Sequence, residues 1–404
     1  MFAPQASRQS ILLIAGEISG DIHTARLADA LLERHPDWTL HALGGSHLRK
    51  AVARAPGSHF LADTEGCSAI SIVASSRIYL RCRRLKQEVL EFLETHHVDA
   101  VVLCDWGGFN GRLLPDLKRL GMPVLYYFPP RSWQRTGNAG LGIANFATRV
   151  ATPFQWSADR LRSVGCNAEW VGHPLLELAR GESRRAKLRA EFGVNDGESL
   201  VALLPGSRRS EIRVLAPHLA NTAELICAER SPSATRFVAV VPELMRSEAR
   251  SWFPASIPIL ADRAADLLLA CDVAVVKTGT ATLEAALADA PQVAIYDLPP
   301  AQILEWAVLW AWKRIPFIAM PNIILQRRAV PELLGPACRP GRIAAAVSLL
   351  LDDRCAREQM LSDYAEIRRA LGSELPASAT QRTAEILEEM LAEKKGCAPA
   401  LAPA

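Results

Sequence analysis

Short apolar runs alternate with longer amphipathic stretches along the whole chain. The apolar runs predict buried strands at residues 11–15, 39–43, 100–104, 123–128, 200–204, 236–241, 272–276 and 292–296. Apolar residues recur at helical spacing between these runs, as in residues 21–34 and 211–229. Such alternation is typical of βαβ units, in which the strands are parallel. The pattern therefore predicts an α/β fold with doubly wound parallel sheets.

A charged stretch interrupts this alternation near the middle of the chain. Residues 178–192 contain few large apolar side chains, and the alternation restarts directly afterwards. We therefore expect two domains that face each other across a cleft at the carboxyl ends of their strands, where this architecture binds ligands. The expected limits are an N-terminal domain at 1–180, a C-terminal domain at 181–372, a helix at 373–396 that packs back on the N-terminal domain, and a disordered tail at 397–404.

Composition narrows the class of protein. The 404 residues are 50% hydrophobic and 22% charged, which is typical of a globular protein, and the net charge of +3 is too small to favour nucleic-acid binding. Nine scattered cysteines include no C-x-x-C pair, so we expect small buried side chains in a reducing compartment and no metal site. We expect neither an export signal nor a membrane span, and hence a cytoplasmic protein.

The first candidate loop is AGEISGD, at residues 15–21, directly after the first predicted strand. Its glycines permit a tight turn and a close approach of ligand, and its polar residues can cap the following helix. The candidate ligand-contacting residues are Gly16, Glu17, Ser19 and Asp21. An ordinary strand-to-helix turn is an equal alternative, because the spacing is not G-x-G-x-x-G.

The second candidate loop is LLPGSRRSEI, at residues 203–212, which again joins a strand to a helix. Gly206 and Ser207 expose amides at the helix start, and the guanidinium of Arg208 suits a phosphate. The sequence favours an anion site here. The alternative is a capped helix with a solvated pair of arginines.

The third candidate loop is KTGTATLEAAL, at residues 277–287. Amides at the start of its helix can bind phosphate oxygens, and Glu284 lies one turn further, where it can accept ribose hydroxyls. An N-capped core helix is the alternative. Two such loops in one domain predict a site for a nucleoside diphosphate, with these residues at the third loop: Thr278, Gly279, Thr280, Ala281 and Glu284.

Two further segments carry candidate phosphate ligands. His173, in WVGHPLLE at 170–177, follows a predicted strand and either contacts a leaving phosphate or is structural. Arg327, in PNIILQRRAVPELL at 321–334, either binds phosphate or faces solvent.

Two features suggest contact with a membrane surface. Arg77, Arg81 and Arg84 recur at near-helical spacing, and an apolar helical face precedes Lys313 and Arg314. The apolar face consists of Ile303, Trp306, Ala307 and Trp310. The alternatives are a solvated basic helix and a helix buried in the core.

The ordered motifs AGEISGD, LLPGSRRSEI, VGHPLLE, TGTATLEAAL and PN-(x)₈-PELL resemble the bacterial lipid-A-disaccharide synthases over about residues 11–390. The resemblance implies two Rossmann-like domains of the GT-B glycosyltransferase type, with neither metal nor cofactor. It implies transfer from UDP-2,3-diacylglucosamine to 2,3-diacylglucosamine 1-phosphate, which gives a β-1,6 disaccharide and UDP. It also implies peripheral association with the inner face of the cytoplasmic membrane, and a homodimer is one assembly compatible with it.

The chain departs from this family in the N-terminal domain. The family pattern D-A/S-P-D-F-N, whose second Asp is thought to be essential, is replaced here by D-W-G-G-F-N at residues 105–110, so Gly108 stands in the place of that Asp. We predict that Asp105 is the substitute base, with Glu17 and Asp21 as the next candidates. Asn110 stays a candidate for acceptor or phosphate binding, together with Gly16, Ser19 and Arg327. The alternative is a diverged paralogue that binds a UDP-sugar but uses another acceptor, or is weak or inactive.

Overall fold

The computed structural model describes residues 8–16, 18–64, 67, 75–135, 141–143, 145–177, 184–230, 234–297 and 316–396. The chain divides into two compact units. Unit 1 takes the described residues of Met1–Pro174 and Leu371–Ala404, and unit 2 those of Leu175–Ala370. The limits expected from the sequence were residues 180 and 372. The tail at 397–404 lies outside the described residues.

Unit 1 contains a seven-stranded sheet in which every pair of neighbouring strands is parallel. The strands are β1 (Ser10–Ala15), β2 (Thr39–Gly44), β3 (Phe60–Asp63), β4 (Ala100–Cys104), β5 (Val124–Tyr127), β6 (Arg149–Thr152) and β7 (Ala168–Trp170), in the spatial order β3-β2-β1-β4-β5-β6-β7. The helices are α1 (Ile18–Arg34), α2 (Ser46–Val52), α3 (Ser75–Thr95), α4 (Gly107–Arg119) and α5 (Gln155–Arg162).

Helices cover both faces of this sheet because successive strand residues point to opposite sides. Leu13 belongs to a buried cluster that includes Leu31 of α1. Its neighbour Leu12 belongs to a second cluster, which includes Leu113 of α4. A strand buried on both faces is a continuous apolar run, as the sequence ILLIA in β1 is.

Unit 2 contains a six-stranded sheet, and its neighbouring strands are also parallel. The strands are β8 (Ser199–Leu204), β9 (Thr235–Val241), β10 (Ile259–Ala261), β11 (Val273–Lys277), β12 (Gln292–Tyr296) and β13 (Glu332–Leu334), in the spatial order β10-β9-β8-β11-β12-β13. The helices are α6 (Arg185–Glu191), α7 (Arg209–Glu229), α8 (Arg246–Ala249), α9 (Ala264–Ala270), α10 (Thr280–Leu287), α11 (Met320–Leu325), α12 (Pro340–Asp352) and α13 (Arg354–Ala370). The prediction of doubly wound parallel sheets is confirmed.

The last helix, α14 (Ala379–Gly396), belongs to unit 1. Leu387 is fully buried in the same cluster as α1. Ion pairs fix the helix further: Glu388 lies 2.7 Å from the Arg34 guanidinium, and Arg382 lies 2.5 Å from the Glu169 carboxylate. The C-terminal end of the described chain thus completes the core of the N-terminal unit.

Within the described ranges, no helix combines the length and the apolar character that crossing a membrane requires. The eight cysteines of those ranges are all free thiols, and five of them are buried. Burial raises the pKa of the Cys104 thiol, which keeps it in the unreactive neutral form.

Candidate functional site

Each sheet has a point at which the chain changes its direction of travel across the strands. In unit 1 this point lies between β1 and β4, and in unit 2 it lies between β8 and β11. Open α/β sheets bind ligands outside the carboxyl ends of the strands at such a point. The AGEISGD loop follows β1, and the PGSR and KTGT loops follow β8 and β11. The structure therefore brings two candidate loops together in unit 2.

The PGSR loop of unit 2 turns tightly at Gly206. The φ of Gly206 is +118°, and a Cβ added there would lie 2.5 Å from Oε2 of Glu211. Only glycine therefore fits this turn over the carboxylate. Ser207 and Arg208 are exposed, and Arg208 directly precedes the long helix α7. The loop presents a cation and helix amides together, which is the arrangement that binds an anion.

The KTGT loop has a similar form. Gly279 has a φ of +147° and precedes α10, whose first residue, Thr280, is exposed. Thr278 is buried and donates its amide to the carbonyl of Ile295 on the neighbouring strand β12. Ala281 is half-buried in the first turn of the helix. The open N-terminus of α10 is thus held at the carboxyl end of the sheet.

Glu284 lies one turn into α10 and is half-buried. Burial raises the pKa of its carboxyl group. Among the described residues its side chain has no hydrogen-bonding or ionic partner. A half-buried carboxylate is hydrated less well than an exposed one, so hydroxyl donors from a ligand would stabilise its charged form.

Arg327 forms two ion pairs within unit 2. Its guanidinium lies 2.7 Å from the Asp363 carboxylate and 2.5 Å from the Glu366 carboxylate, both on α13. The preceding Asn322 is fully buried and accepts the amides of Ala329 and Val330. The PN-(x)₈-PELL segment therefore organises its own loop, and a phosphate would have to compete with two carboxylates for Arg327.

In unit 1, the loop that follows β1 packs against the loop that follows β4. A Cβ added at Gly16 would overlap the indole ring of Trp106. The Trp106 ring also stacks on Phe109, with ring centroids 4.1 Å apart. Gly16 is thus required by close packing, and Ser19 is half-buried at the start of α1.

Asp105 occupies the carboxyl end of β4, at the point where the sheet of unit 1 reverses. Its φ of +45° and that of Trp106, +43°, are uncommon for residues with side chains. Three bonds hold the backbone of Asp105: its amide donates to Phe128, and its carbonyl accepts from Tyr126 Oη at 2.7 Å and from Asn110 Nδ2 at 2.8 Å. Strain that is held in this way is common at functional sites. Asn110 is fully buried, and the hydrogen bond from its Nδ2 helps to position Asp105.

Gly108 is exposed in the first turn of α4, and no heavy atom of the described residues lies within 4 Å of a Cβ added there. The space that a carboxylate would need is therefore open. Its neighbour Gly107 differs, because a Cβ there would lie 2.7 Å from Pro130.

Asp21 is a structural residue in unit 1. Its buried carboxylate accepts the backbone amides of Gly45, His47 and Leu48 at 2.7, 2.9 and 3.2 Å. These amides belong to the start of α2, so Asp21 caps that helix from a distance. Its lone pairs are occupied, which argues against the role of base that the sequence suggested.

His173 belongs to unit 1, next to Pro174, where the first segment of that unit ends. It is buried against the rings of Phe128 and Phe154, and its ring centroid is 6.2 Å from that of His23. Burial lowers the pKa of His173, so the imidazole is neutral. This environment favours the structural alternative over contact with a leaving phosphate.

The buried His23 predicts a loss of stability in mild acid. Burial, with a smaller effect from Arg26, lowers its pKa to about 4, whereas an unfolded chain would give about 6.5. Below about pH 6.5 the unfolded state binds the extra proton, so up to about 3 kcal/mol of stability is lost between pH 6.5 and pH 4. We expect His23→Phe, measured by urea unfolding at pH 7.5 and 5.0, to lose less stability on acidification. An identical loss in both proteins would contradict this assignment.

Some sequence-based candidates lie outside the described residues. These are Glu17, the apolar segment from Ile303 to Trp310, and the side chain of Arg77. Of the other arginines expected at a membrane surface, Arg81 donates to the carbonyl of Asp63 and Arg84 pairs with Glu88. Tyr79 and Leu80 beside them are exposed. Within the described part of the chain, no group of three or more His, Cys, Asp or Glu residues is placed to bind a metal ion.

Sequence reasoning missed three residues of the unit 2 site. Glu211 and Lys277 form an ion pair at 2.7 Å, and the ammonium of Lys277 lies 5.5 Å from the ring centroid of Tyr296. Glu211 and Lys277 lie inside motifs and Tyr296 ends a predicted strand, but the contact between Glu211 and Lys277 depends on β8 and β11 being neighbours. The adjacency of these strands cannot be seen in the spacing of the motifs.

Comparison with known proteins agrees with this architecture. Residues 11–386 match the family model described as lipid-A-disaccharide synthetase. The lipid-A-disaccharide synthase of Myxococcus xanthus is 34% identical over 384 residues, which cover 94% of this chain and 97% of that protein.

Two solved structures have a similar fold. UDP-GlcNAc 2-epimerase from Neisseria meningitidis, bound to UDP-GlcNAc, has a TM-score of 0.63 at 12% identity and covers 95% of this chain and 100% of its own. A UDP-glucosyltransferase from Polygonum tinctorium has a TM-score of 0.58 at 14% identity, and the match covers 96% of this chain and 99% of the other.

Proposed function

Because the chain belongs to the lipid-A-disaccharide synthase family of glycosyltransferases, we propose that unit 2 binds the UDP-sugar donor and unit 1 binds the acylated acceptor. In this family's reaction, the donor is UDP-2,3-diacylglucosamine and the acceptor is 2,3-diacylglucosamine 1-phosphate. Similarity over 94% of the chain favours this function over a diverged paralogue.

The donor site is proposed at the PGSR and KTGT loops of unit 2. The exposed Arg208 and the amides that begin α7 and α10 stabilise the negative charge of departing UDP, and Ser207 and Thr280 contribute polar atoms beside them. Glu284 accepts the ribose hydroxyls. The single observation that carries this proposal is the placement of both loops at the switch point of one parallel sheet.

The base is proposed to be Asp105 of unit 1. Inverting transfer requires a group that takes the proton from the attacking 6-hydroxyl of the acceptor. Asp105 is half-buried at the switch point, and its Cβ lies 3.8 Å from the position of a Cβ added at Gly20 of α1. Glu17, in the same loop, is the second candidate.

The open space at Gly108 allows a direct test of the missing carboxylate. Gly108→Asp meets no steric obstacle, and an acidic residue in the first turn of a helix is favourable. We expect Gly108→Asp to raise the rate of transfer. When it is combined with Asp105→Asn, the double variant should transfer at least about tenfold faster than Asp105→Asn alone. Rates of UDP release measure both effects.

Gly111→Asp is the matched control for that substitution. Gly111 is also exposed on α4, and within the described part of the chain no heavy atom lies within 4 Å of a Cβ added there. Equal rates for Gly108→Asp and Gly111→Asp would show that position 108 has no special relation to the acceptor.

The reaction itself is tested with purified protein and UDP-2,3-diacylglucosamine, in the presence and absence of 2,3-diacylglucosamine 1-phosphate. Formation of both UDP and the disaccharide only when the acceptor is present supports the proposed reaction. UDP formed without the acceptor would indicate hydrolysis or epimerase-like chemistry. UDP binding without any turnover would favour the alternative hypothesis, a diverged paralogue that is inactive.

We also propose peripheral contact with anionic membrane lipids. The exposed Tyr79 and Leu80 lie on α3 beside Arg83 and Arg84, a combination that suits the membrane interface. Sedimentation with phosphatidylglycerol vesicles, compared with phosphatidylcholine vesicles, tests this contact. Absence from both pellets would contradict it, and analytical ultracentrifugation of the same protein would test the homodimer.

A further inference from the structure

One carboxylate links the two donor loops of unit 2. Glu211 comes from the helix that follows β8, whereas Lys277 ends β11, the neighbouring strand across the switch point. We propose that Lys277 binds the diphosphate of the donor and that Glu211 is the positioning residue that orients it. This inference rests on the proposed donor site and adds two residues to it.

The ammonium of Lys277 is fixed over the start of α10. Its Nζ lies 2.7 Å from Oε1 of Glu211, and the ring of Tyr296 lies beneath it. The same Nζ is 4.0 Å from the position of a Cβ added at Gly279, the residue that precedes α10. A cation and the free amides of a helix N-terminus therefore converge, and both favour a phosphate group.

Glu211 contacts the second cation as well. Its Oε1 lies 3.7 Å from the Arg208 guanidinium, and its Oε2 accepts the Arg208 amide at 3.4 Å. The tight turn at Gly206 lies over this carboxylate. One negative charge thus orients two positive charges that arise from different strands, and the three side chains together keep a net charge of +1.

The ion pair of Lys277 and Glu211 is largely buried, so its interaction is strong enough to hold the orientation of Lys277. The side chains of Lys277 and Glu211 are 17% and 15% exposed, so solvent screens them less than a surface ion pair. Arg208 is 45% exposed and can move toward a ligand. Removing the carboxylate would leave two neighbouring cations that repel each other and lose their common orientation.

The test compares UDP with uridine, which lacks the phosphates, in competition binding to the full-length protein. We expect Lys277→Met to weaken UDP binding about 10- to 100-fold and to leave uridine binding unchanged. Glu211→Gln should weaken UDP binding by a smaller factor. The double variant should be weaker than Lys277→Met by less than the full factor seen for Glu211→Gln alone, because Glu211 acts in part through Lys277 and in part through Arg208. Lys277→Arg should keep most of the affinity.

The matched control is Glu248→Gln. Glu248 forms an ion pair of the same 2.7 Å length with Arg209, the first residue of α7, and its partner is neither Arg208 nor Lys277. Equal weakening of UDP and uridine binding by Lys277→Met would indicate a merely structural role and overturn the inference. Unchanged UDP binding would overturn it too. Failure of the unsubstituted protein to bind UDP would instead remove the donor site on which the inference rests.

Discussion

Arg208→Gln is expected to lower the rate of transfer by about 10²- to 10³-fold, the effect typical of losing one charge-stabilising group at a reacting centre. The side chain is 45% exposed at the start of α7, so its replacement leaves no cavity and should not unfold unit 2. Its positive charge stabilises the transition state most strongly when UDP departs, because the negative charge on the diphosphate then increases. The fall should therefore appear in kcat under saturating donor, measured as UDP release.

Arg209→Gln provides the matched control for Arg208→Gln. Arg209 is adjacent, carries the same charge and is 71% exposed, but its guanidinium pairs with Glu248. We expect that variant to retain nearly the parental rate. The rate of Arg208→Lys should lie between those of Arg208→Gln and Arg209→Gln, because lysine keeps the charge and lacks the planar guanidinium. An Arg208→Gln variant within about twofold of the parental rate would remove this residue from the mechanism.

Asp105→Asn is expected to lower the rate of transfer by about 10²- to 10⁴-fold, the usual contribution of a general base. Asn is nearly the same size as Asp and tolerates a positive φ well, so the strained backbone at this position should survive. UDP binding should be unchanged, because the proposed donor site lies in unit 2. Steady-state UDP release and equilibrium UDP binding separate the two effects.

Asp159→Asn is a suitable control for the loss of an acidic charge in unit 1, because Asp159 is exposed on α5 and pairs with Arg162 on the same helix. We expect Asp159→Asn to keep nearly the parental rate of transfer. A nearly normal rate for Asp105→Asn would contradict its role as base and direct attention to Glu17.

Much of the fold could be predicted from the sequence, because central strands of parallel sheets are apolar on both faces. All eight predicted strands are present, and they include β1, β4, β8 and β11, which form the two switch points. Sequence reasoning predicted no strand at β3, β6, β10 and β13, and at β7 it placed only a strand end before His173. Each has only three or four residues, and four of them lie at sheet edges, where one side of the strand has no partner. Short edge strands need no continuous apolar run, so their pattern is weak.

The candidate site was predicted in part. Each glycine loop does join a strand to a helix, since local turn chemistry is visible in sequence. The partners of individual side chains were not predictable, because tertiary packing decides them. Asp21 caps a helix that begins 25 residues later, and Arg327 pairs with acids on α13, so both polar side chains are occupied by the fold itself.

The position of α14 makes unit 2 an insertion within unit 1. Unit 1 is built from both ends of the chain, whereas unit 2 is one continuous segment, Leu175–Ala370. On the ribosome, unit 2 can therefore fold as soon as its own segment has emerged. The core of unit 1 stays incomplete until Leu387 and its neighbours are synthesised. The half of the molecule that begins first in the sequence is thus the last to be finished, and truncated chains would expose the apolar surface of α1.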